Sequence, residues 1–206
     1  MSTSRRLAPG CTALALVLLT GACDGPLSPA PPAAPADAAI AASRAADDGT
    51  VTVPFEARFF TDLVSIAPDA SCGGPPMLLN TQQGFGEATH LGRFSVLITF
   101  CFDPSELLDD GQLSPGESLP YENGVGTMTA ANGDQLRITI AGAVLPSDHP
   151  DFDFEFSDPY EIVGGTGRFD GATGGGVTNS LVDFQSQPSR TEHDWSGTLV
   201  LRPGNR

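Results

Sequence analysis

The chain contains no lysine: all ten of its basic residues are arginine, against 25 aspartates and glutamates. A phosphate-binding loop of the Walker type needs a lysine, so the sequence excludes that class of nucleotide site. Without residues 1–22, which hold Arg5 and Arg6, eight arginines face 25 acidic residues, a formal charge of −17. Because such a surface repels phosphate backbones and anionic lipid, we expect no nucleic-acid partner and no membrane attachment through a basic patch.

Long hydrophobic runs are also missing, since no apolar run approaches the roughly 20 residues of a transmembrane helix. The ten-residue run from Cys11 to Thr20 follows Arg5 and Arg6, which is the layout of a secretory signal. Its end, Leu19 to Cys23 (LTGAC), resembles the bacterial lipobox, in which the cysteine becomes the lipidated N-terminus. The sequence therefore predicts a lipoprotein-type signal over residues 1–22, lipidation of Cys23 and a lipid-anchored place in the bacterial cell envelope. An ordinary secretory signal and a secreted protein are the alternative.

The next segment, residues 23–50, is rich in proline and alanine, with five prolines between Asp24 and Thr50. It has no apolar periodicity, which is typical of a disordered tether. We expect the folded domain to span residues 51–203.

Cysteine is scarce, with four in the chain. Cys11 lies in the predicted signal and Cys23 at the lipidation site, so Cys72 and Cys101 are left for the folded domain. In an oxidising compartment two such cysteines most simply form a disulfide. Two free buried thiols, or half of a metal site, are the alternatives.

Alternation of apolar and polar residues, the period of a strand with one buried face, recurs along the domain. Asp62–Pro76 and Asp103–Glu122 are predicted as loops, and Asn132-Gly133 is a strong signal for a hairpin. Many short strands with frequent turns predict an all-β antiparallel barrel or sandwich. The predicted strands cover 51–59, 84–91, 94–102, 125–130, 135–143, 151–163, 177–184 and 193–201.

Gly164–Val177, GGTGRFDGATGGGV, is half glycine and lies between two predicted strands. The glycines at 165, 167 and 171 are spaced G-x-G-x-x-x-G, which is one residue longer than the dinucleotide-binding fingerprint. The three glycines at 174–176 cannot begin the helix that this fingerprint requires. We therefore interpret the stretch as a tight connection between strands, in which glycine supplies turns and close backbone approach. The predicted structural glycines are Gly164, Gly165, Gly167, Gly171 and Gly174.

The segment Tyr160–Gly174, YEIVGGTGRFDGATG, resembles a segment shared by dirigent proteins and allene oxide cyclases. In those families a strand runs into a GGTG or GGSG motif, followed by a phenylalanine and a small-residue ending. The resemblance implies a closed eight-stranded antiparallel barrel with an apolar interior. Dirigent proteins usually carry an arginine directly after the motif phenylalanine, whereas this chain has Asp170, so neither plant activity is carried over.

Residues for catalysis or metal binding form no convincing pattern. The three histidines, His90, His149 and His193, lack the i, i+4 spacing of a helical metal site, although His90 and His193 would meet across some barrels. The acidic runs Asp148–Asp158 and Glu106–Glu117 are better explained as solvated surfaces than as calcium loops. The sequence therefore predicts no catalytic residue, no metal and no cofactor.

Twelve phenylalanines, many at inward positions of predicted strands, supply the interior. An eight-stranded barrel is just wide enough either to fill with side chains or to hold one small ligand. We expect a non-catalytic envelope protein that binds a small apolar ligand or an envelope partner. A cyclase or isomerase acting in the barrel cavity and a structural envelope component are the alternatives, and the sequence does not indicate an oligomeric state.

Overall fold

The computed structural model describes residues 49–107, 111–114 and 116–204. The predicted signal, Cys23 and almost all of the predicted tether lie outside these residues. Within them, no helix has the length and apolar character to cross a membrane.

The described residues form nine strands and three single 3₁₀ turns, at Ala70–Cys72, Pro104–Glu106 and Gly167–Phe169. Wherever two of these strands are hydrogen-bonded, they run antiparallel. The strands are β1 (Val51–Ala67), β2 (Leu78–Ala88), β3 (Gly92–Phe102), β4 (Leu119–Ala130), β5 (Gln135–Pro146), β6 (Phe154–Phe156), β7 (Pro159–Gly165), β8 (Thr173–Asp183) and β9 (Arg190–Leu201).

The strands close into a barrel. Starting from β1, each strand pairs with the next in the order β1, β2, β3, β4, β5, β7, β8 and β9, and β9 pairs back with β1. The short β6 shares one position with β7, because both pair with β5 and β8 at different heights. The predicted closed eight-stranded antiparallel barrel is therefore confirmed, with one of its eight positions divided between β6 and β7.

Alternate residues of each strand point into the barrel, as the period-2 pattern requires. In β1 the buried positions are Phe55, Ala57, Phe59 and Thr61, which are separated by exposed or half-exposed residues. The most deeply buried large apolar side chains come from several strands and from the β7–β8 connection. They are Trp195, Phe55, Phe169, Met128, Leu136, Ile138 and Leu199.

Several strand bounds differ from the sequence-based ones. β1 runs on to Ala67 and β2 begins at Leu78, so most of the predicted loop 62–76 is strand or short turn. Polar residues of this segment pair along the β1–β2 ladder, for example Asp62 with Gln83. β4 likewise begins at Leu119, inside the predicted loop 103–122. The hairpin at Asn132-Gly133 is present between β4 and β5.

The acidic segment before β6 is also less regular than the alternation predicted, because only Phe154–Phe156 is strand. Asp153 turns its carboxylate onto the end of β8, where it accepts hydrogen bonds from the backbone N–H of Phe184 (2.7 Å) and of Gln185 (3.2 Å). The backbone of Asp153 also bonds to both neighbours, with its N–H donating to Val182 O (2.8 Å) and its carbonyl accepting from Ser147 N (3.0 Å), so the carboxylate cap adds to this backbone pairing.

β8 begins at Thr173, four residues before the predicted start, so Gly174, Gly175 and Gly176 lie in a strand. Gly176 faces Gly197 of β9, and a Cβ on either residue would collide with backbone of the other strand. Here glycine serves close approach of two backbones rather than a turn.

Cys72 and Cys101 form the predicted disulfide, with Cα atoms 5.5 Å apart and a sequence separation of 29. Both cysteines are buried. The bond joins the 3₁₀ turn after β1 to the end of β3, and so restrains the chain that leads into β2.

Replacing both cysteines (Cys72→Ser with Cys101→Ser) removes the restraint on a loop of this length. We expect the free energy of unfolding to fall by about 3 to 4 kcal/mol, because the unfolded chain gains entropy. Denaturant titration of the oxidised wild type and the double variant measures the loss. Equal midpoints, or two thiols that react with an alkylating agent in the untreated wild type, would contradict the prediction.

Candidate functional site

One half of the barrel interior contains a cavity of about 120 Å³. It lies at the end where β1, β3, β5 and β8 finish and where β2, β4 and β9 start. Most of its lining is aliphatic or aromatic, including Ile98, Phe100, Ile140, Val144, Phe156 and Trp195. The other half of the barrel is filled by the remaining core side chains described above, which are Phe55, Met128, Leu136, Ile138, Phe169 and Leu199.

The size of the cavity limits what can occupy it. An apolar cavity of about 150 Å³ accommodates one benzene ring, so this one suits a single-ring compound. Ile66, one of its lining residues, is 37% exposed, which places the mouth of the cavity at this end of the barrel. Leu107, from the β3–β4 connection, lines the cavity as well, and Gly111 of the same connection lies against the ring of Phe184.

A larger groove of about 860 Å³ lies over β1, β6, β8 and β9, and its lining includes Ser180 and His193. Its walls carry exposed charges, such as Arg58 and Asp194, whose Nε and Oδ2 atoms are 3.2 Å apart. Exposed ion pairs of this kind contribute little free energy and would give a ligand site little specificity. We therefore place the candidate site inside the barrel, where side chains are shielded from water.

A chain of polar side chains crosses the barrel wall beside the cavity. The two ring nitrogens of His193 contact hydroxyls on both sides, with Nε2 3.0 Å from Thr61 Oγ1 and Nδ1 2.9 Å from Ser180 Oγ. Thr61 in turn lies 2.6 Å from Gln82 Oε1, and the indole N–H of Trp195 lies 3.4 Å from Ser180 Oγ. We call these five residues the polar relay.

The distances assign a direction to the relay. The 2.6 Å contact between Thr61 Oγ1 and Gln82 Oε1 has the length of an O–H···O bond, so the threonine donates to the glutamine oxygen. Thr61 then accepts from the Nε2–H of His193, which leaves Nδ1 unprotonated to accept from the hydroxyl of Ser180. Trp195, whose indole nitrogen can only donate, donates a hydrogen bond to Ser180 Oγ.

Burial keeps the relay uncharged. It lowers the pKa of His193 from its usual value near 6.5 to about 3, because the imidazolium would lose its hydration. The ring of Phe59 stacks on the imidazole with centroids 4.3 Å apart, and Phe156 and Trp195 meet it edge-on. His193 is therefore a neutral imidazole at neutral pH.

A second polar pair, Tyr121 and Asp158, lies on another wall. Asp158 occupies the break between β6 and β7, and its Oδ2 accepts a hydrogen bond of 2.8 Å from the Tyr121 hydroxyl. Burial, the hydrogen bond and the negative charge of Asp158 together raise the pKa of Tyr121, so the phenol stays protonated. Gly142 makes room for this carboxylate, since a Cβ there would collide with it.

The residues singled out from sequence are spread over the barrel. His90 is exposed in the turn between β2 and β3 and His149 is exposed before β6, whereas His193 is buried inside, so the structure does not bring the histidines together. Among the described residues, no group of three or more histidines, cysteines or acidic residues could hold a metal ion.

The predicted structural glycines lie in the β7–β8 connection or in the strand ends beside it. Gly164 and Gly165 end β7, Gly167 and Gly171 lie in the connection with positive φ, and Gly174 lies in β8. None of them lines the cavity. Asp170 is exposed, next to the fully buried Phe169.

Sequence reasoning missed most of the polar groups of this site, which include Asn80, Gln82, Thr61, Ser180 and Asp158. One sequence feature pointed to these groups, because Thr61 is a polar residue that continues the inward-facing series of Phe55, Ala57 and Phe59. A polar residue in register with a buried series indicates either a buried hydrogen-bond network or the wall of a site.

No protein-family model and no curated protein matches the chain. Among solved structures it is similar to a pterocarpan synthase dirigent protein, with 16% sequence identity and a TM-score of 0.40 over 75% of this chain and 87% of that one. The strand pairings and the cavity define the class, a closed eight-stranded antiparallel barrel with a partly hollow interior.

The low pKa of His193 has a consequence for stability. Below pH 6.5 the unfolded chain binds a proton at this histidine that the folded protein does not bind until about pH 3, so stability falls as pH falls through this range. From pH 7 to pH 5 we expect the wild type to lose about 2 kcal/mol more free energy of unfolding than His193→Gln. Urea unfolding at both pH values measures the difference.

The exposed His149 provides the matched control, because His149→Gln makes the same change outside the barrel interior. Carboxylates that titrate in the same range affect all three proteins alike and cancel in the comparison. Equal losses in the wild type and His193→Gln would show that the imidazole gains a proton in the folded protein.

Proposed function

We propose that this barrel is a binding protein that holds one small, neutral, apolar ring compound in its cavity and does not catalyse a reaction. The observation that carries the proposal is the apolar cavity of about 120 Å³ at one end of an otherwise filled barrel. Each square ångström of apolar ligand surface that the cavity removes from water contributes roughly 25 cal/mol. A ligand of one ring suits both the volume and the lining.

The lining also argues for a ligand without charge. Among the described residues that line the cavity there is no aspartate, glutamate or arginine, and His193 is neutral. A charged ligand would lose its hydration without gaining a partner of opposite charge, which is strongly unfavourable.

A cyclase or isomerase remains the alternative, and the buried polar groups beside the cavity favour it. The Ser180–His193 hydrogen bond has the form of a nucleophile and base pair. General acid–base catalysis is most efficient when the pKa lies near the working pH, whereas the pKa of His193 is lowered to about 3 and that of Tyr121 is raised. A histidine with such a low pKa is a weak base and a tyrosine with a raised pKa is a weak acid, so binding is the better account.

We further propose that the protein is exported and held at the bacterial cell envelope by a lipid on Cys23. The lipobox-like residues and the proline-rich segment after them support this proposal. In that place the barrel would take its ligand from the aqueous or membrane-adjacent part of the envelope.

The single tryptophan of the chain, Trp195, lines the cavity, so its fluorescence reports occupancy. Titration of the protein with neutral one-ring compounds, such as cyclohexanone, should change this emission saturably and raise the melting temperature. Val144→Phe fills the cavity and should abolish the response. Val125→Phe adds the same bulk at an exposed position on the barrel surface and should not.

A saturable response that Val144→Phe leaves intact would place the bound compound elsewhere. The complete lack of a response, with both variants folded, would refute the proposed function.

The anchor has a separate test. Mass spectrometry of the protein extracted from bacterial membranes should find a mature chain that begins at Cys23 and carries a diacylglyceryl group. An unmodified N-terminus at another residue would contradict the proposal and favour simple secretion.

A further inference from the structure

We propose that Gln82 recognises the ligand by donating a hydrogen bond from its amide nitrogen, so that the ligand carries an oxygen acceptor such as a carbonyl. This inference rests on the proposed binding function and specifies the ligand of the same cavity. It follows from the direction of the polar relay, which ends at Gln82.

The relay occupies the oxygen of the Gln82 amide. Its Oε1 accepts the hydroxyl hydrogen of Thr61, and each earlier member of the chain donates in the same direction, from Trp195 through Ser180 and His193. Because an indole nitrogen cannot accept a hydrogen bond, the relay has a fixed donor at its start. The oxygen of Gln82 is therefore held toward Thr61, and the NH₂ group points away from it.

That NH₂ group faces the cavity. Gln82 is one of the lining residues, and no acceptor for its Nε2 is found among the described residues. Gln82 is half-buried, and a ligand acceptor placed against this free donor would form a hydrogen bond that the lining itself does not supply. The relay thus gives the otherwise apolar cavity one oriented donor.

Asn80 provides a second polar point on the same strand. It lies two residues before Gln82, on the same face of β2, lines the cavity and is only 8% exposed. Its Oδ1 is buried and accepts no hydrogen bond from the described residues. With about 3.3 Å per residue, the two amides are roughly 6 to 7 Å apart along the strand. A neutral ring compound with a carbonyl at one side and a hydroxyl at the other would satisfy both.

The test compares two ligands of the same shape, cyclohexanone and methylenecyclohexane, which differ by C=O against C=CH₂. The ratio of their affinities, measured by Trp195 fluorescence and calorimetry on the full chain, cancels effects that both ligands share. In Gln82→Met, which keeps the side-chain length but loses the donor, the preference for the ketone should fall by about three- to tenfold.

Gln83→Met is the matched control, because Gln83 is the exposed neighbour on the outer face of β2 and should leave the ratio unchanged. Thr61→Val removes the hydroxyl that fixes Gln82 while keeping its shape, and should lower the ratio in the same direction. Gln82→Leu repeats the measurement if Gln82→Met unfolds, as monitored by denaturant titration.

The outcomes separate this inference from the proposal beneath it. Binding of both ligands with an unchanged ratio in the folded Gln82 variants overturns the role of Gln82 and leaves the binding function standing. Binding of neither ligand to the wild type overturns both. A ratio that falls in the Gln82 variants and in Thr61→Val, but not in Gln83→Met, supports the inference.

Discussion

The ladder between β1 and β9 is the contact on which the interior depends, because it closes the sheet. It joins the first and last strands of the domain over twelve residue pairs, from Val51 with Leu201 to Asp62 with Arg190. Arg190 reinforces the end of the ladder with two hydrogen bonds to the Asp62 carboxylate, of 2.8 and 3.1 Å, and lies over the ring of Phe60. Closure leaves no free edge among the barrel strands and makes their inward faces a single shielded volume.

The same closure fixes the barrel at a width that eight strands can either fill or leave partly hollow. In this protein both outcomes occur, one in each half. Large side chains such as Phe55, Phe169 and Leu199 fill one half, whereas the inward positions of β2 in the other half carry Asn80 and Gln82. These amides need hydrogen-bond partners, so they do not pack as densely as aromatic side chains would. The cavity therefore borders the polar inward positions of β2, while most of its other lining is aliphatic or aromatic.

Much of the fold could be predicted from the sequence because strand periodicity is local. The alternation around Phe55 and Phe59 and the Asn132-Gly133 turn predicted strands and a hairpin that are present. Strand ends were predicted poorly, since polar or glycine-rich segments such as Gly174–Gly176 become strands only through partners distant in sequence. The polar relay was not predictable for the same reason: Thr61 and His193 are 132 residues apart, and only the β1–β9 ladder brings them together.

The polar groups of the interior share a property that links fold to binding. The outside of the barrel is strongly acidic, whereas burial holds His193 and Tyr121 in their neutral forms. Discrimination inside such a site depends on the placement of donors and acceptors rather than on charge. A hydrogen-bond chain that starts at an obligatory donor, Trp195, and is packed between aromatic rings cannot easily reverse. The barrel wall thereby orients the Gln82 amide before any ligand arrives, which reduces the entropy that binding must cost.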